Sequence, residues 1–257
     1  VGDTVSTTFI ACASKISSRL GSFAPSIGVA TLRAIGNAYL APALEASPLG
    51  ELISKITYRL RFTSEQLPFD VPTLAYVLPL IMLVLDRGGI DEPKGEEEGT
   101  QALLSLEFLS FHSSSFSDAR LPRKDVLQRL ITGLSKYSQH YKLVKDTLSD
   151  FCRCISPNLS RDELAVLLEG TISADVSVRT AVLQVIEAEI DLTDLDFSEH
   201  IWLCCHDQVE ENVELAETIW EDNALEVDEK SYSHLVKYLS SKDPQLRGAA
   251  ARALAHA

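Results

Sequence analysis

Apolar side chains recur along this chain at the spacing of an α-helix. One stripe follows i, i+3, i+4, i+7 and i+11, namely Leu49, Leu52, Ile53, Ile56 and Leu60. Similar stripes are formed by Val126, Leu127, Leu130, Ile131 and Leu134, and by Leu164, Val166, Leu167 and Leu168. Such a stripe buries one face of a helix against its neighbours. Because no stretch alternates apolar and polar residues for the length of a strand, we predict an all-α protein.

Helix-breaking residues follow one another at about the length of a helix. Ser160 and Glu163 have the spacing of a capping box, which starts a helix by satisfying its first backbone amides. We therefore predict about a dozen helices of roughly 12 to 18 residues each, joined by short turns. The predicted breakers are Pro25, Pro42, Pro48, Pro68, Pro72, Gly88, Gly89, Pro93, Pro122, Pro157 and Pro244.

Three later segments form an internal repeat. Each has an aliphatic residue followed three positions later by alanine: Val178-Arg-Thr-Ala181, Val213-Glu-Leu-Ala216 and Leu246-Arg-Gly-Ala249. The spacings are 35 and 33 residues, and an aspartate precedes each segment (Asp175, Asp207 and Asp243). A constant period of this length is typical of stacked helix pairs. Alanine on the inner face lets two helices approach closely, and we expect the arginine to reach the aspartate of the preceding repeat.

The segment from Asp243 to Leu254 resembles the HEAT-repeat signature, in which Asp-Pro is followed by aliphatic-Arg and then by alanines at helical offsets. We therefore predict an α-solenoid of HEAT or armadillo-like helical repeats. The expected organisation is degenerate HEAT-like helices over residues 1–90, an acidic loop over 91–100, HEAT-like helices with a basic segment over 101–159, and HEAT repeats over 160–257.

Composition agrees with a folded, intracellular protein. The chain has 257 residues, 46% of them hydrophobic, and a net charge of -14. The longest apolar run, residues 74–85, is broken by Pro79 and is too short to cross a bilayer. The five cysteines are an odd number without framework spacing, so we expect reduced thiols. No secretory signal is evident, and the ends read as those of a piece of a longer protein.

Nothing in the sequence indicates an enzyme, a cofactor or a metal. Phosphate-binding loops, metalloprotease motifs and serine-nucleophile motifs are absent. His200, Cys204, Cys205 and His206 form one metal-like cluster, but adjacent cysteines point apart on a helix, so we expect buried thiols there. Residues 191–196 lack the glycine and terminal glutamate of a calcium loop, and we expect a helix start instead.

Two stretches of opposite charge are candidates for binding. Residues 119–145 contain one acidic residue, Asp125, and seven basic residues. The basic residues are Arg120, Arg123, Lys124, Arg129, Lys136, Lys142 and Lys145. They form either a solvated helix face or a ridge that contacts phosphates. Tyr137 and Tyr141, four apart on one helix face, can stack on bases, but we expect them to pack between helices. Residues 187–229 hold sixteen acidic groups and no lysine or arginine, which indicates a solvated face or a surface for a basic partner.

In its order of segments the chain resembles the giant HEAT-repeat translational activators of the general amino-acid control pathway, in the stretch before their elongation-factor-three-like region. The resemblance rests on residues 73–81, the acidic loop after them, residues 121–131, Val178-Arg179, Ile201-Trp202, residues 211–220 and Asp243.

The resemblance implies a cytoplasmic, non-catalytic scaffold that binds stalled or collided ribosomes. It also implies help in activating the starvation-response kinase that phosphorylates translation initiation factor two alpha. The kinase and a partner ATPase would be contacted by other parts of the longer protein, and no membrane is involved. The seven basic residues above are then the expected ribosome contacts, although the charge of -14 opposes extensive contact with RNA.

Two alternatives remain. An acidic cargo-binding solenoid, such as a nuclear transport receptor, would use residues 187–229 to hold basic peptides, although transport receptors repeat their acids regularly along the inner helices. A regulatory subunit of an enzyme can be built on the same repeats.

Overall fold

A computed structural model describes residues 50–90, 100–195, 197–227 and 231–256 of the chain. Every regular element in these ranges is helical and none is a strand, which confirms the predicted all-α class. Four short 3-10 turns, at residues 113–117, 138–140, 156–158 and 237–240, connect the helices. The α-helices are α1 (Gly50–Gln66), α2 (Val71–Arg87), α3 (Thr100–Phe111), α4 (Arg123–Lys136), α5 (Tyr141–Ile155), α6 (Arg161–Thr171), α7 (Val176–Glu189), α8 (Glu199–Cys204), α9 (Glu210–Asp222), α10 (Ser231–Val236) and α11 (Pro244–His256).

The predicted apolar stripes are largely the buried faces of these helices. Ile53, Ile56 and Leu60 are buried in α1, and all five stripe residues of α4 are buried. In α6, Leu167 and Leu168 are buried, whereas Leu164 and Val166 are only half-buried. Leu49, the side chain of Leu52 and the predicted acidic loop at residues 91–99 lie outside the described residues.

Helix ends follow the capping signals of the sequence. Asp70 accepts a hydrogen bond from the Thr73 amide at 3.0 Å and starts α2. Gly88, at a φ of 72°, ends the same helix in the left-handed conformation that glycine adopts without steric cost. Ser160 and Glu163 form the predicted capping box at the start of α6, with the Ser160 amide donating to Glu163 Oε2 at 2.8 Å.

Two expectations about helix length are wrong. Pro79 does not interrupt the apolar run, because α2 continues through it for 17 residues. The helix is apolar on nearly all sides and is buried around Pro79, so packing offsets the lost backbone hydrogen bond. Conversely, α8 has only six residues, fewer than the predicted dozen.

The described residues divide into two compact units, and the division falls within α4 and at both ends of α5. Unit 1 includes residues up to Arg129 and Lys142–Cys154. In this unit, α3 packs against both α1 and α2. The buried rings of Phe116 and Phe151 lie 4.8 Å apart and join the turn after α3 to α5.

Unit 2 includes Leu130–Tyr141 and the residues from Ile155 onward. It contains the helix pairs α6–α7, α8–α9 and α10–α11, and the second helix of each pair carries one copy of the sequence repeat. Ala181, Ala216 and Ala249 are all buried, as the repeat predicts. Helix α9 packs on α7, whereas α11 packs on α8. The third pair therefore departs from the regular stacking of like helices.

Candidate functional site

Helices α4 and α5 carry most of the basic residues between positions 119 and 145. Lys124, Lys136 and Lys142 are exposed, and Lys145 is half-buried. Gln128, next to Lys124 on the same side of α4, is exposed as well, and so is Thr132, one turn before Lys136.

Arg120 and Arg129 are held by acidic neighbours. Arg120 Nε donates to Asp118 Oδ1 at 2.9 Å, and this hydrogen bond holds the pKa of the Asp118 carboxyl below its usual range. Arg129 Nη2 lies 2.6 Å from Asp86 Oδ2 on α2, within unit 1. Both guanidinium groups are thus partly neutralised, which weakens the electric field that they project into solvent.

The structure buries Arg123, which was expected at the contact surface. Its relative exposure is 3%, at the first turn of α4. Of the two adjacent residues ahead of the buried stripe that begins at Val126, Lys124 is exposed and Arg123 is buried. Arg123 therefore adds no exposed charge to the basic surface.

Tyr137 and Tyr141 do not share a helix face and form no stacking pair, which agrees with the expectation that they pack between helices. A 3-10 turn at residues 138–140 separates them, and Tyr137 is buried at the end of α4. Tyr141 begins α5 and donates its hydroxyl to the Ser177 carbonyl at 3.1 Å. Neither ring therefore stands as a free platform for a base.

A buried charge cluster joins the three helix pairs of unit 2. Arg179 of α7 donates through Nε to Asp207 Oδ2 at 2.7 Å and through Nη2 to Oδ1 at 3.1 Å. The side chains of Arg179 and Asp207 are 2% and 1% exposed. Asn212 of α9 and Gln245 of α11 donate to the same carboxylate, at 3.2 and 3.1 Å. We call Arg179, Asp207, Asn212 and Gln245 the carboxylate hub.

Hydrogen bonds decide the ionisation of Asp207. Burial is the largest single influence on its pKa and acts to raise it. Hydrogen bonds from Arg179, the Val209 amide and Asn212 together outweigh burial, so the pKa lies below its usual range. The carboxylate is therefore charged, as is required to balance the buried guanidinium.

The arginine of the repeat reaches in the opposite direction from the one expected. Arg179 contacts the aspartate of the following pair, not that of the preceding one. Its remaining nitrogen, Nη1, donates to the Ser173 carbonyl at 2.9 Å, and Arg247 Nη1 donates to the equivalent Ser241 carbonyl at 2.7 Å. The repeat singled out Arg179 and Asp207 as residues but did not pair them with each other, and Asn212 and Gln245 had no signal in the sequence.

The cysteine and histidine cluster of α8 consists of packed side chains. Cys204 is buried and donates its thiol to the Thr171 carbonyl at 3.3 Å. Burial raises the pKa values of the Cys204 and Cys205 thiols to about 12 each. Deprotonated sulfur is the form that binds metals. No group of residues able to hold a metal ion occurs in the part of the chain that the structure describes.

The acidic stretch is exposed mainly along α9. Glu210, Glu214, Glu217 and Glu221 follow one another along an exposed face of this helix. Before α8, Asp191 accepts hydrogen bonds from the amide and hydroxyl of Thr193, at 2.9 and 2.6 Å. Asp191 therefore closes a turn, and the expected helix start is wrong. The acids of α9 form a charged outer face.

Beside the carboxylate hub lies a cavity with room for about one water molecule, lined by Arg179, Cys204, Asp207 and Gln245. A space of this size does not admit a substrate. Among the described residues, no helix is long and apolar enough to cross a membrane.

Two family models match the chain. One, described as "Fungal GCN1-like, HEAT repeats", matches residues 16–135. The other, described as "Stalled ribosome sensor GCN1, HEAT repeats", matches residues 187–257. The second range contains the acidic stretch, Asp207 and both later copies of the repeat, and the first contains most of the basic helix α4.

A curated relative covers the chain almost completely. The eIF-2-alpha kinase activator GCN1 of Saccharomyces cerevisiae is 29% identical to it over 98% of its length. The chain spans about a tenth (10%) of the length of that relative. No solved structure matches the chain. Both family models describe helical HEAT repeats.

Proposed function

We propose that this chain, which belongs to the GCN1 family of HEAT-repeat proteins, is a non-catalytic scaffold segment of a ribosome-associated translational activator. In this role the stacked helix pairs form an extended support and present side chains to the ribosome. The observation that carries the proposal is the match of residues 187–257 to HEAT repeats of a stalled ribosome sensor. The described part of the chain supports it with a charge cluster that joins successive helix pairs.

The longer protein then works in the cytoplasm, where it senses stalled or collided ribosomes and promotes activation of the starvation-response kinase. That kinase phosphorylates translation initiation factor two alpha. The name of the yeast relative, a kinase activator, supports this assignment. As the family resemblance implies, the kinase and the partner ATPase are assigned to other parts of the longer protein, and this segment spans about a tenth (10%) of the yeast relative.

Ribosome contact is assigned to the exposed basic side chains of α4 and α5. Lys124, Lys136 and Lys142 provide positive charge that is open to solvent, and Lys145 adds to it from a half-buried position. Arg120 and Arg129 contribute less, since Asp118 and Asp86 hold them. Phosphate groups of ribosomal RNA are the natural partners of such a surface.

Charge reversal tests the assignment. We expect K124E/K136E/K142E to weaken co-sedimentation with ribosomes several-fold and to flatten its salt dependence, because each lost phosphate contact reduces counterion release. The matched control is R153E/R161E/K242E, which reverses three exposed basic residues outside the segment and changes the net charge equally. Equal loss of binding in both variants, or no loss in either, would contradict the assignment.

A cargo-binding solenoid is the second candidate, and the acidic face of α9 is the observation that favours it. Four glutamates there follow helical spacing without a lysine or arginine between residues 187 and 229. The acids are concentrated on one helix, which favours the scaffold. Tight binding of a basic peptide that E210Q/E214Q/E217Q abolishes, without ribosome association of the parent chain, would support the cargo role instead.

A further inference from the structure

Four of the six histidines of the chain lie where α8 meets the pair α10–α11. The six are His112, His140, His200, His206, His234 and His256. His200 is on α8 and His206 follows it, while His234 is on α10 and His256 ends α11. Histidine is the side chain whose ordinary pKa is nearest to neutral pH, so its concentration at one contact makes that contact a candidate for proton sensitivity.

His206 is enclosed by cationic and aromatic groups of α8 and α11. Its ring stacks on the ring of His256 at 5.2 Å, and the ring of Trp202 meets its face at 4.8 Å. Arg252 donates two hydrogen bonds to the His206 carbonyl, at 2.6 and 3.2 Å. His206 Nε2 is buried and has no hydrogen-bond partner among the described residues. A proton on this ring would sit between Arg252 and His256.

His200 holds the other side of the same contact. Its Nε2 lies 3.3 Å from the hydroxyl of Tyr238, which belongs to the turn after α10. The charged groups that face it are Glu199, Lys237 and Glu169. Lys237 Nζ lies 3.2 Å from Glu199 Oε1, so the lysine takes up much of the negative charge that would otherwise favour a protonated His200.

We propose that protonation of His206 and His200 loosens the docking of α10 and α11 on α8, so that this contact is sensitive to mild acid. The proposal goes beyond ribosome scaffolding, since it concerns how firmly one helix pair is held in unit 2. Helix α11 is the element that moves. Near His206 it is attached to α8 by two main polar contacts, from Trp202 Nε1 to the Ala253 carbonyl and from Arg252 to the His206 carbonyl. The carboxylate hub adds the Gln245 bond at the other end of α11.

The directions of the pKa values agree with this. Burial lowers the pKa of His206, and the charges of His256 and Arg252 lower it further. Burial also lowers the pKa of His200, against the opposing effect of Glu199. A group whose folded pKa is lowered stabilises the contact fully above its unfolded value and ceases to do so as pH falls through the folded value. Asp207 titrates below this range, so the hub stays charged.

Tryptophan fluorescence of the whole chain tests the proposal. Trp202 and Trp220 are the only two tryptophans, their rings are 4.9 Å apart, and Trp202 Nε1 donates to the Ala253 carbonyl at 3.2 Å. We expect a reversible change in emission between about pH 7.5 and about pH 5.5, accompanied by faster hydrogen exchange in α10 and α11. The docking constant falls by up to about tenfold per pH unit for each proton taken up.

Three variants distinguish the proposed groups from other acid effects. H200Q/H206Q should lose the acid transition, while H256Q, which removes one neighbouring cation site, should move its midpoint to lower pH. H140Q changes a histidine outside this contact and should leave the transition unaltered. Hydrogen exchange at about pH 8 establishes that each variant is docked before titration. Exchange in α10 and α11 that is independent of pH, or a double variant that retains the wild-type transition, would overturn the proposal.

Discussion

Asp207 is the residue on which the polar interior of unit 2 depends. Its carboxylate accepts hydrogen bonds from three helix pairs while its side chain is 1% exposed. A buried ion pair of this kind contributes little net stability by comparison with apolar packing, but it is costly to break on one side. The residue therefore fixes how the pairs fit together more than it strengthens them.

Removal of this carboxylate should strongly destabilise unit 2. We expect Asp207→Ala to lower the free energy of unfolding by about 3–5 kcal/mol, because Arg179 stays buried without its counter-ion. Helical circular dichroism during denaturant titration measures the loss. The control is Asp150→Ala, which breaks the 3.0 Å ion pair with Arg153. The side chain of Arg153 is 61% exposed and that of Asp150 is 48% exposed. The control should change stability by under about 1 kcal/mol. Equal effects of the two substitutions would refute this view of the hub.

Ala224 is the one non-glycine residue with positive φ in the described part of the chain. This residue lies just after α9 and has a φ of 50°. The amide of the next residue, Leu225, donates to the Trp220 carbonyl at 3.1 Å. Ala224→Gly should raise stability by about 0.5–1 kcal/mol, since glycine adopts this conformation without steric cost. The comparison is Ala251→Gly in the exposed middle of α11, which should cost about 0.5–1 kcal/mol. Thermal unfolding of the two variants should therefore shift in opposite directions.

Single residues were predicted from the sequence only where local rules apply. The capping box at Ser160 and the buried alanines of the repeat depend on neighbours within one or two turns, and they are confirmed. The burial of Arg123 and the direction of Arg179 depend on where other helices lie. Periodicity within one helix carries no such information, and these expectations failed for that reason.

At the scale of elements, close approach of helices distinguishes one glycine from another. A Cβ atom at Gly170 in α6 would lie 3.1 Å from Val182 Cγ2 and 3.3 Å from Ile131 Cγ2. At Gly248 in α11 the nearest atom is the flexible end of Arg252, at 3.4 Å. The first glycine permits packing, whereas the second only loosens a helix.

The two glycines should respond oppositely to substitution. Gly170→Val should destabilise unit 2 by about 1–3 kcal/mol through overpacking against α7. Gly248→Ala should stabilise it by about 0.5–1 kcal/mol, because alanine is the better helix former. Denaturation midpoints of the two variants provide the measurement. A stabilised Gly170→Val protein would show that α6 and α7 tolerate separation.

The helical class and the capping box of α6 were predicted from the sequence, but helix lengths and interruptions were predicted less well. Pro79 lies within α2 because an almost wholly buried helix compensates for a missing backbone hydrogen bond. Such compensation is a property of tertiary packing, which a single segment of sequence does not report.

For the whole molecule, the fold class followed from periodicity and repeats, and the family models agree with it. The stacking of α11 on α8 did not follow, since the repeat has the same form in all three pairs. The basic surface was predicted as seven residues, of which the structure leaves Lys124, Lys136 and Lys142 exposed. The segregation of charge was visible from the sequence. Which basic side chains are exposed depends on how the helices pack, which the sequence does not report.

Segregated charge predicts a salt effect that differs across the chain. Sixteen acids without a basic residue between positions 187 and 229 repel one another, and salt screens this repulsion. Raising the salt concentration from about 0.05 M to about 0.5 M should slow hydrogen exchange in α9. Helix α2, which is mainly apolar and buried, is the internal reference and should change less. Equal changes in both helices would contradict a local origin.

The buried thiol of Cys204 allows opening of the helices around the hub to be followed by its rate of alkylation. Burial raises the pKa of this thiol to about 12, so the reactive thiolate is scarce at neutral pH, and the side chain is buried as well. An alkylating reagent can therefore reach it only during the moments when the neighbouring helices part. The rate of alkylation at Cys204 in excess reagent therefore reports how often these helices part. The measurement needs no probe attached to the protein beforehand.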